Sequence, residues 1–406
     1  MKQKTLFIAL ALMLVCSVSW AQNTELKLLK ESGAGMLYES NGFLIPVLKG
    51  STKEMGAQYG ALMVDEMQKV WDALVQPGRK AGKITDEQIS IWADRAYTTG
   101  STRTKQFYEG IADGSGWPLN NVIMLDQVME FSIFQAKLHS FAGCTSIMSW
   151  GKHSTDGEMY TGRNMDWSDE FNNFATVLTV RNPTDGSYKF ATTGWPGMLC
   201  AFTAINEHGV YLDVHDGTSM GGSVVYTERP SILNILTDFI SESSSLDALI
   251  ARFNGALNST SMILSLADEN GAASMECSSL AGNRVRQPKG ESFVVVNSFL
   301  DPDWGLGKRE TVSNSLKRYS NMTKRLEENT GKVNAEVVRN LMDLKLFDAD
   351  GNFAKNGGAT KPTNQDADLT NYQTVFDIKQ RELWLKTPGP NFYREWTHFD
   401  LKELWK

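Results

Sequence analysis

Phe141-Ala142-Gly143-Cys144-Thr145-Ser146-Ile147 divides this 406-residue chain into two parts of different character. On its N-terminal side the pattern is helical. Ser51-Thr52-Lys53-Glu54 reads as a capping box, followed by Met55, Tyr59, Leu62, Met63, Met67, Val70, Trp71 and Leu74 at helical spacing. Thr85 with Gln88 starts a second helix and Pro118 a third that runs through Phe134, so residues 51–140 are expected to be helical. After Gly143 short alternating strands are separated by turn signals at Asp156-Gly157, Thr184-Asp185-Gly186, Asn206-Glu207-His208-Gly209 and Asp268-Glu269-Asn270-Gly271. Helices return near 230–253 and 310–345, and a last hairpin lies near 372–387. Hairpins interrupted by helix pairs predict an α+β fold of stacked antiparallel sheets with helices on their outer faces. No repeat or Pro-rich linker separates 22–143 from the rest of the chain, so that segment is expected to pack onto it.

The chain opens with Lys2 and Lys4, an apolar run from Leu6 to Val15, and Ser19-Trp20-Ala21 in the small-x-small form that signal peptidase accepts. Residues 1–21 are therefore expected to be a cleavable signal peptide, and the product secreted or periplasmic. Leu14 and Val15 precede Cys16 where a lipidated cysteine needs a small residue, which argues against a lipoprotein. Loss of Lys2 and Lys4 leaves 38 basic against 47 acidic residues, a net charge of −9. Neither nucleic acid nor an anionic membrane is an expected partner of so acidic a chain. No later stretch is long enough to be an integral membrane segment. Cys144, Cys200 and Cys277 remain after export, and an odd number in an oxidising compartment leaves at least one thiol free. The spacing of Cys200 and Cys277 does not decide whether they pair.

Cys144 alone admits two readings: a small apolar residue buried at a strand start, which is the usual one, or a nucleophile. The next hairpin bears on the choice. A turn at Asp156-Gly157 would pair residues whose numbers sum to about 313. Ile147 would then face Asp166, and Cys144 would lie near Asp169. Arg163, Asn164 and Asp166 thus return to Cys144, bringing a cation that favours thiolate and a carboxylate that can orient an ammonium group. Read alone, Gly162–Trp167 is equally a strand end with a surface ion pair. Trp117, Trp150, Trp167 and Trp195 offer aromatic surface for a core or for an acyl pocket, with Trp167 and Trp195 the candidates for touching substrate. Asp213, His215 and Asp216, with His208 nearby, could offer metal ligands. Adjacent strand residues point to opposite faces, however, so neither metal nor other cofactor is expected.

Gly143-Cys144-Thr145, followed after a Gly-turn hairpin by Gly162-Arg163-Asn164-Met165-Asp166-Trp167, resembles the opening of the linear-amide group of N-terminal-nucleophile hydrolases. That group includes bile salt (choloylglycine) hydrolases, penicillin V acylases, isopenicillin N acyltransferase, acid ceramidase and N-acylethanolamine hydrolases. The spacing from Cys144, 19 residues to Arg163 and 22 to Asp166, is a little longer than in bile salt hydrolases, as a longer first hairpin would give. Ala204-Ile205-Asn206-Glu207-His208-Gly209 is similar to the group's Asn-Glu-x-Gly turn. Val295-Val296-Asn297-Ser298 is similar to a strand end carrying a second asparagine, and Ser315-Leu316-Lys317-Arg318-Tyr319 to a helical segment whose arginine completes the site. Gly50-Ser51 with Glu54, Gly56, Gln58, Tyr59 and Gly60 resembles the pro-segment of the acyltransferase-like and acid-ceramidase-like branches, which bile salt hydrolases nearly lack.

The resemblance implies a four-layer αββα sandwich and a cut between Gly143 and Cys144. Residues 22–143 would become a helical α chain and 144–406 the β chain. It further implies Cys144, Arg163, Asp166, Asn206, Asn297 and Arg318 as the catalytic set. Once released, Cys144 supplies the thiol and, through its α-amine, its own base, because that amine has a reference pKa of about 7.7–8.0. Asn206 and Asn297 would hold the oxyanion, Asp166 would orient the α-ammonium, and Arg163 and Arg318 would order the carboxylate. The expected substrate is a small N-acyl amide with a lipophilic acyl group, such as a fatty acyl amide. Conjugated bile salts or penicillin V, acyl transfer or lipid-ester cleavage, and an inactive secreted binding module are the alternatives.

Overall fold

The computed structural model describes residues 25–135, 143–307, 315–342, 369–387 and 395–406. The expected signal peptide and Phe141-Ala142 lie outside them. The N-terminal segment begins as sheet, which corrects the expectation of a wholly helical segment. Strands β1 (Lys27–Ser32), β2 (Gly35–Ser40) and β3 (Phe43–Gly50) form a meander. The turn between β2 and β3 is Asn41-Gly42, with both residues at positive φ, a hairpin signal present in the sequence but outweighed by the helical pattern after it.

Helices α1 (Thr52–Leu74), α2 (Gln76–Lys80), α3 (Asp86–Thr99), α4 (Thr102–Ser115), α5 (Leu119–Asp126) and α6 (Val128–Phe134) come next. Both expected capping boxes form, Ser51 with Glu54 and Thr85 with Gln88. Pro118 caps α5, and the expected single third helix is interrupted at Gln127. The glycines noted in α1 serve a close helix crossing. A Cβ on Gly56 would lie 2.4 Å from the Phe107 carbonyl oxygen, and one on Gly114 of α4 only 2.0 Å from that of Ala57.

Beyond Gly143 the strands are β4 (Thr145–Gly151), β5 (Gly157–Trp167), β6 (Val177–Pro183), β7 (Phe190–Gly194), β8 (Thr203–Asn206) and β9 (Tyr211–Asp216). A short helix α7 (Thr218–Gly221) leads to α8 (Ile232–Glu242) and α9 (Leu246–Asn254). Then come β10 (Met262–Ala267), β11 (Ala272–Ser278), β12 (Gly282–Arg286), β13 (Ser292–Val295), α10 (Ser315–Glu328) and α11 (Ala335–Met342). The hairpin β14 (Leu369–Asp377) and β15 (Glu382–Lys386), then β16 (Thr397–Asp400) and α12 (Leu401–Leu404), close the chain.

One sheet runs β1-β2-β3-β6-β7-β8-β9-β10-β11-β12 and the other β13-β4-β5-β14-β15-β16. Every pairing is antiparallel except β3 with β6. Helices α8 and α9 pack on the larger sheet, α10 and α11 on the smaller. Between the sheets, Tyr211 meets Phe376 edge-on at 5.3 Å and Tyr372 Oη lies 3.1 Å from Thr203 Oγ1. The molecule is thus the α+β sandwich with the expected helix–sheet–sheet–helix layering, and the segment before Cys144 joins it through the pairing of β3 with β6, with α1 packed on the same sheet.

The β4–β5 register differs from the expected one. Gly151 pairs with Gly157 across a longer loop, so Ser146 faces Arg163 and Thr145 faces Asn164. The ladder sum is four lower than a turn centred on Asp156-Gly157 would give. The shift carries Arg163 and Asp166 nearer to Cys144, which now lies level with Met165.

Candidate active site

Cys144 immediately precedes β4 and is 1% exposed, beneath the seam where the two sheets face each other. Its Sγ lies 3.6 Å from Met165 Sδ and 3.9 Å from the Asp166 carbonyl oxygen. Arg163, fully buried on β5, donates from Nη2 to Cys144 Sγ at 3.6 Å. It also donates to the carbonyls of Phe202 and Val214 and, at 2.5 Å, to Thr203 Oγ1. Arg163 therefore spans both sheets. Burial pushes the Cys144 thiol up, and the Arg163 guanidinium opposes that shift.

Asp166 accepts from Thr370 Oγ1 at 2.6 Å, a contact set by its register with β14. Arg318, near the start of α10, donates to the Cys144 carbonyl and to Thr145 Oγ1, the latter at 2.7 Å. Its Nη2 donates to Asn297 Oδ1 at 3.0 Å, and Asn297 Nδ2 donates to the Asp216 carbonyl at 3.1 Å. The structure thus gathers Arg163, Asp166, Asn297 and Arg318 around Cys144.

Asn206 is not among them. Its Nδ2 donates to the carbonyls of Ile240 and Ser243 at 2.8 and 2.7 Å. Its Oδ1 accepts from the backbone N–H of His208 and Val210 at 3.0 and 3.1 Å, so every hydrogen-bonding position of the side chain is used by the turn and the end of α8. Strand geometry explains why. Thr203, on the same strand, points between the sheets to Arg163; Asn206 lies three residues on, about 10 Å along and on the opposite face.

The inner face of the neighbouring strand brings in residues that the sequence pattern marks only as weak metal ligands. Asp213 pairs with Thr203 in register, so Asp213 and His215 both face inward. His215 Nε2 is 2.7 Å from Asp213 Oδ1 and 2.9 Å from Ser265 Oγ, and Ser146 Oγ donates to Asp213 Oδ2 at 2.7 Å. Burial holds His215 below the ordinary histidine range. Asp213 is kept ionised: burial would raise it, but His215 and Arg163 outweigh that. His208 packs instead on Tyr188, at 4.3 Å. Among the described residues no group of three or more ligand-type side chains could hold a metal.

A cavity of about 70 Å³ lies beside Cys144. Met129 and Ile133 of α6, Trp167, Phe202, Leu236 and Met262 make it mainly apolar, and His215 and Asp216 supply polar atoms. Trp167 is among the cavity's lining residues. Trp195 is not: it is 1% exposed and packed edge-on among Phe171, Phe202 and Tyr372. Trp117 packs on Trp71, and Cys200 and Cys277 are both free thiols. No helix among the described residues is long and apolar enough to cross a membrane.

Comparison with known proteins places this geometry in context. Residues 153–390 match the acyl-coenzyme A:6-aminopenicillanic acid acyl-transferase family, a stretch that starts after Cys144 and takes in Arg163, Asp166, Asn206, Asn297 and Arg318. An uncharacterized protein of Archaeoglobus fulgidus is 20% identical over 443 residues, covering 97% of this chain and 72% of its own. Among solved structures, penicillin V acylase from Agrobacterium tumefaciens is 15% identical over 64% of this chain and 87% of its own, with a TM-score of 0.42. A mutant conjugated bile acid hydrolase from Clostridium perfringens is 14% identical over 65% and 94%, with a TM-score of 0.43. An N-acylethanolamine-hydrolyzing acid amidase orthologue from Caenorhabditis elegans is 14% identical over 58% and 93%, with a TM-score of 0.40. The family match spans more than half of the 406 residues, and the chain accordingly belongs to the acyl-coenzyme A:6-aminopenicillanic acid acyl-transferase family of N-terminal-nucleophile hydrolases.

Proposed function

We propose that the protein is an exported N-acyl amide hydrolase that cuts itself between Gly143 and Cys144 and then uses the freed Cys144 as nucleophile on linear, non-peptide amide bonds. The observation that carries this reading is the convergence of Arg163, Asp166, Asn297 and Arg318 on one buried cysteine that directly follows a glycine at the start of a strand. Gly143 has no side chain to obstruct attack on its carbonyl. After the cut, the α-amine of Cys144 is the base, Asp166 orients the ammonium form, and the thiolate is favoured by Arg163. Arg318 fixes the Cys144 carbonyl, and Asn297 stands ready as an oxyanion donor, a role typically worth about 2.7–4 kcal/mol of barrier. With Asn206 committed elsewhere, the second donor is a backbone N–H. The apolar walls of the cavity suit a lipophilic acyl group.

Intact mass and N-terminal sequencing of purified protein test the reading. Two fragments are expected, the larger beginning Cys-Thr-Ser-Ile, together with turnover of an N-acyl amide panel. A single uncut chain that hydrolyses amides would overturn the self-cleavage part. The family's acyl-transferase description favours transfer as a second outcome, read out by product formation with an added amine acceptor.

A further inference from the structure

The self-cleavage proposed above leaves one proton without an acceptor. Before the cut, the Cys144 nitrogen is an amide and cannot serve as base, while burial keeps its thiol protonated. Besides Cys144, the titratable side chains lining the cavity are Glu130, His215 and Asp216. Glu130 is held by both Nη atoms of Arg95, at 3.3 and 3.0 Å, and by the hydroxyls of Ser231 and Ser259. Asp216 accepts from the Thr218 N–H at 2.9 Å.

His215 differs from both. Its Nε2 faces Asp213 Oδ1 at 2.7 Å, Ser265 Oγ at 2.9 Å and Ser146 Oγ at 3.2 Å, and the carboxylate places the ring proton on Nε2. Its Nδ1 is then a bare lone pair, buried and without a hydrogen-bond partner among the described residues. An unsatisfied buried acceptor costs free energy, and a reactive site is one place where that cost has a use. Asp213 is held beside the ring because Ser146, two residues after Cys144 on the same strand face, donates to its other oxygen. The charged groups around the ring are Asp213 and Asp216 on its own strand, Arg163 from β5 and Arg318 from α10; the two arginines and burial favour the neutral imidazole. Cys144 and His215 line the same cavity of about 70 Å³, which is large enough to hold water between them.

We propose that His215 is the general base of the self-cleavage step, taking the Cys144 Sγ proton on Nδ1 through water held in the cavity. This rests on the self-cleavage reading above. The thiolate adds to the Gly143 carbonyl carbon, and the Gly143–Cys144 C–N bond then breaks. The departing nitrogen takes the proton back from the imidazolium, leaving a Gly143 thioester and a free α-amine. Water hydrolyses the thioester to the Gly143 carboxylate and the Cys144 thiol. His215 is spent in neither step, and once the α-amine exists its task is finished.

The test tracks cleavage of freshly translated full-length precursor by mass across pH 5–9. Wild type should cut with a rate that falls as pH drops below the ordinary histidine range. His215→Gln, which can still donate to Asp213, should be slower by about 100-fold or more while unfolding as cooperatively as wild type. His215→Ala should regain cleavage with added imidazole, in proportion to its free base. A folded His215→Gln precursor that cuts at the wild-type rate, or a wild-type rate flat from pH 5 to 8, would overturn the proposal. Cleavage persisting in Cys144→Ala, or no cleavage of wild type, would instead overturn the self-cleavage reading and this proposal with it.

Discussion

Asn206 and Asn297 are both fully buried, both close a strand in a turn-like motif, and both were expected to hold the oxyanion. The structure treats them oppositely. Asn297 has its amide between Arg318 and the Asp216 carbonyl, within the cluster around Cys144. Asn206 has its amide spent on four backbone groups at the far end of β8. The comparison teaches that an asparagine's side-chain vocabulary, two donors and one acceptor with two lone pairs, serves turn-making and catalysis equally well. Which of the two it does is decided by strand parity, through which face of the sheet it occupies.

Substitutions at these positions would break or sharpen that contrast. Cys144→Ala should abolish turnover and leave a single uncut chain on a denaturing gel. Asn297→Ala should lower kcat by about 10²–10³-fold, as loss of one oxyanion donor does, with correctly folded protein by circular dichroism. Asn206→Ala should do the reverse: kcat per folded molecule is retained, while urea titration shows a loss of about 2–4 kcal/mol, because the carbonyls of Ile240 and Ser243 and the N–H groups of His208 and Val210 lose their partner. Equal loss of kcat in the two asparagine variants would erase the distinction.

The smallest effect concerns the helix that Asn206 caps. Burial raises Asp238 of α8 to about 6, against partial compensation from Ser101 and Thr104. The folded state therefore holds this proton more tightly than the unfolded chain, whose carboxyl titrates near about 3.9. Its contribution to stability is present below about pH 4 and lost as pH rises through about 6. Asp238→Asn should flatten that part of a Tm-against-pH curve and leave the turnover profile unchanged.

Much of this was legible in the sequence. The capping boxes at Ser51 and Thr85 and the change of period at Gly143 placed helices and strands, because each rests on local chemistry. Arg163 and Asp166 were placed near Cys144 despite a register four too large, since a hairpin returns its second strand to the first whatever the turn. The failures were non-local. Whether Asn206 or Asp213 faces inward depends on which strand pairs with which, and β8 is too short to show its own alternation. Trp195 carries no signal that separates core from pocket, because a tryptophan fills either. The strands β1 to β3 were hidden by the strong helix after them, although Asn41-Gly42 marked their turn.

The β3–β6 pairing bears on whether a cut at Gly143 could release anything. β3 supplies the only parallel neighbour of β6 in the described sheets, and with it the larger sheet continues through three strands that precede Cys144. Pulling that segment away would strip β6 of one whole row of backbone partners and leave its seven residues as a naked edge, the kind of surface on which chains aggregate. On this ground a cut at Gly143 is expected to leave the segment ahead of the cysteine in place, a wall of the building and not its scaffolding. Native size-exclusion chromatography of the cut protein should return both fragments in one peak.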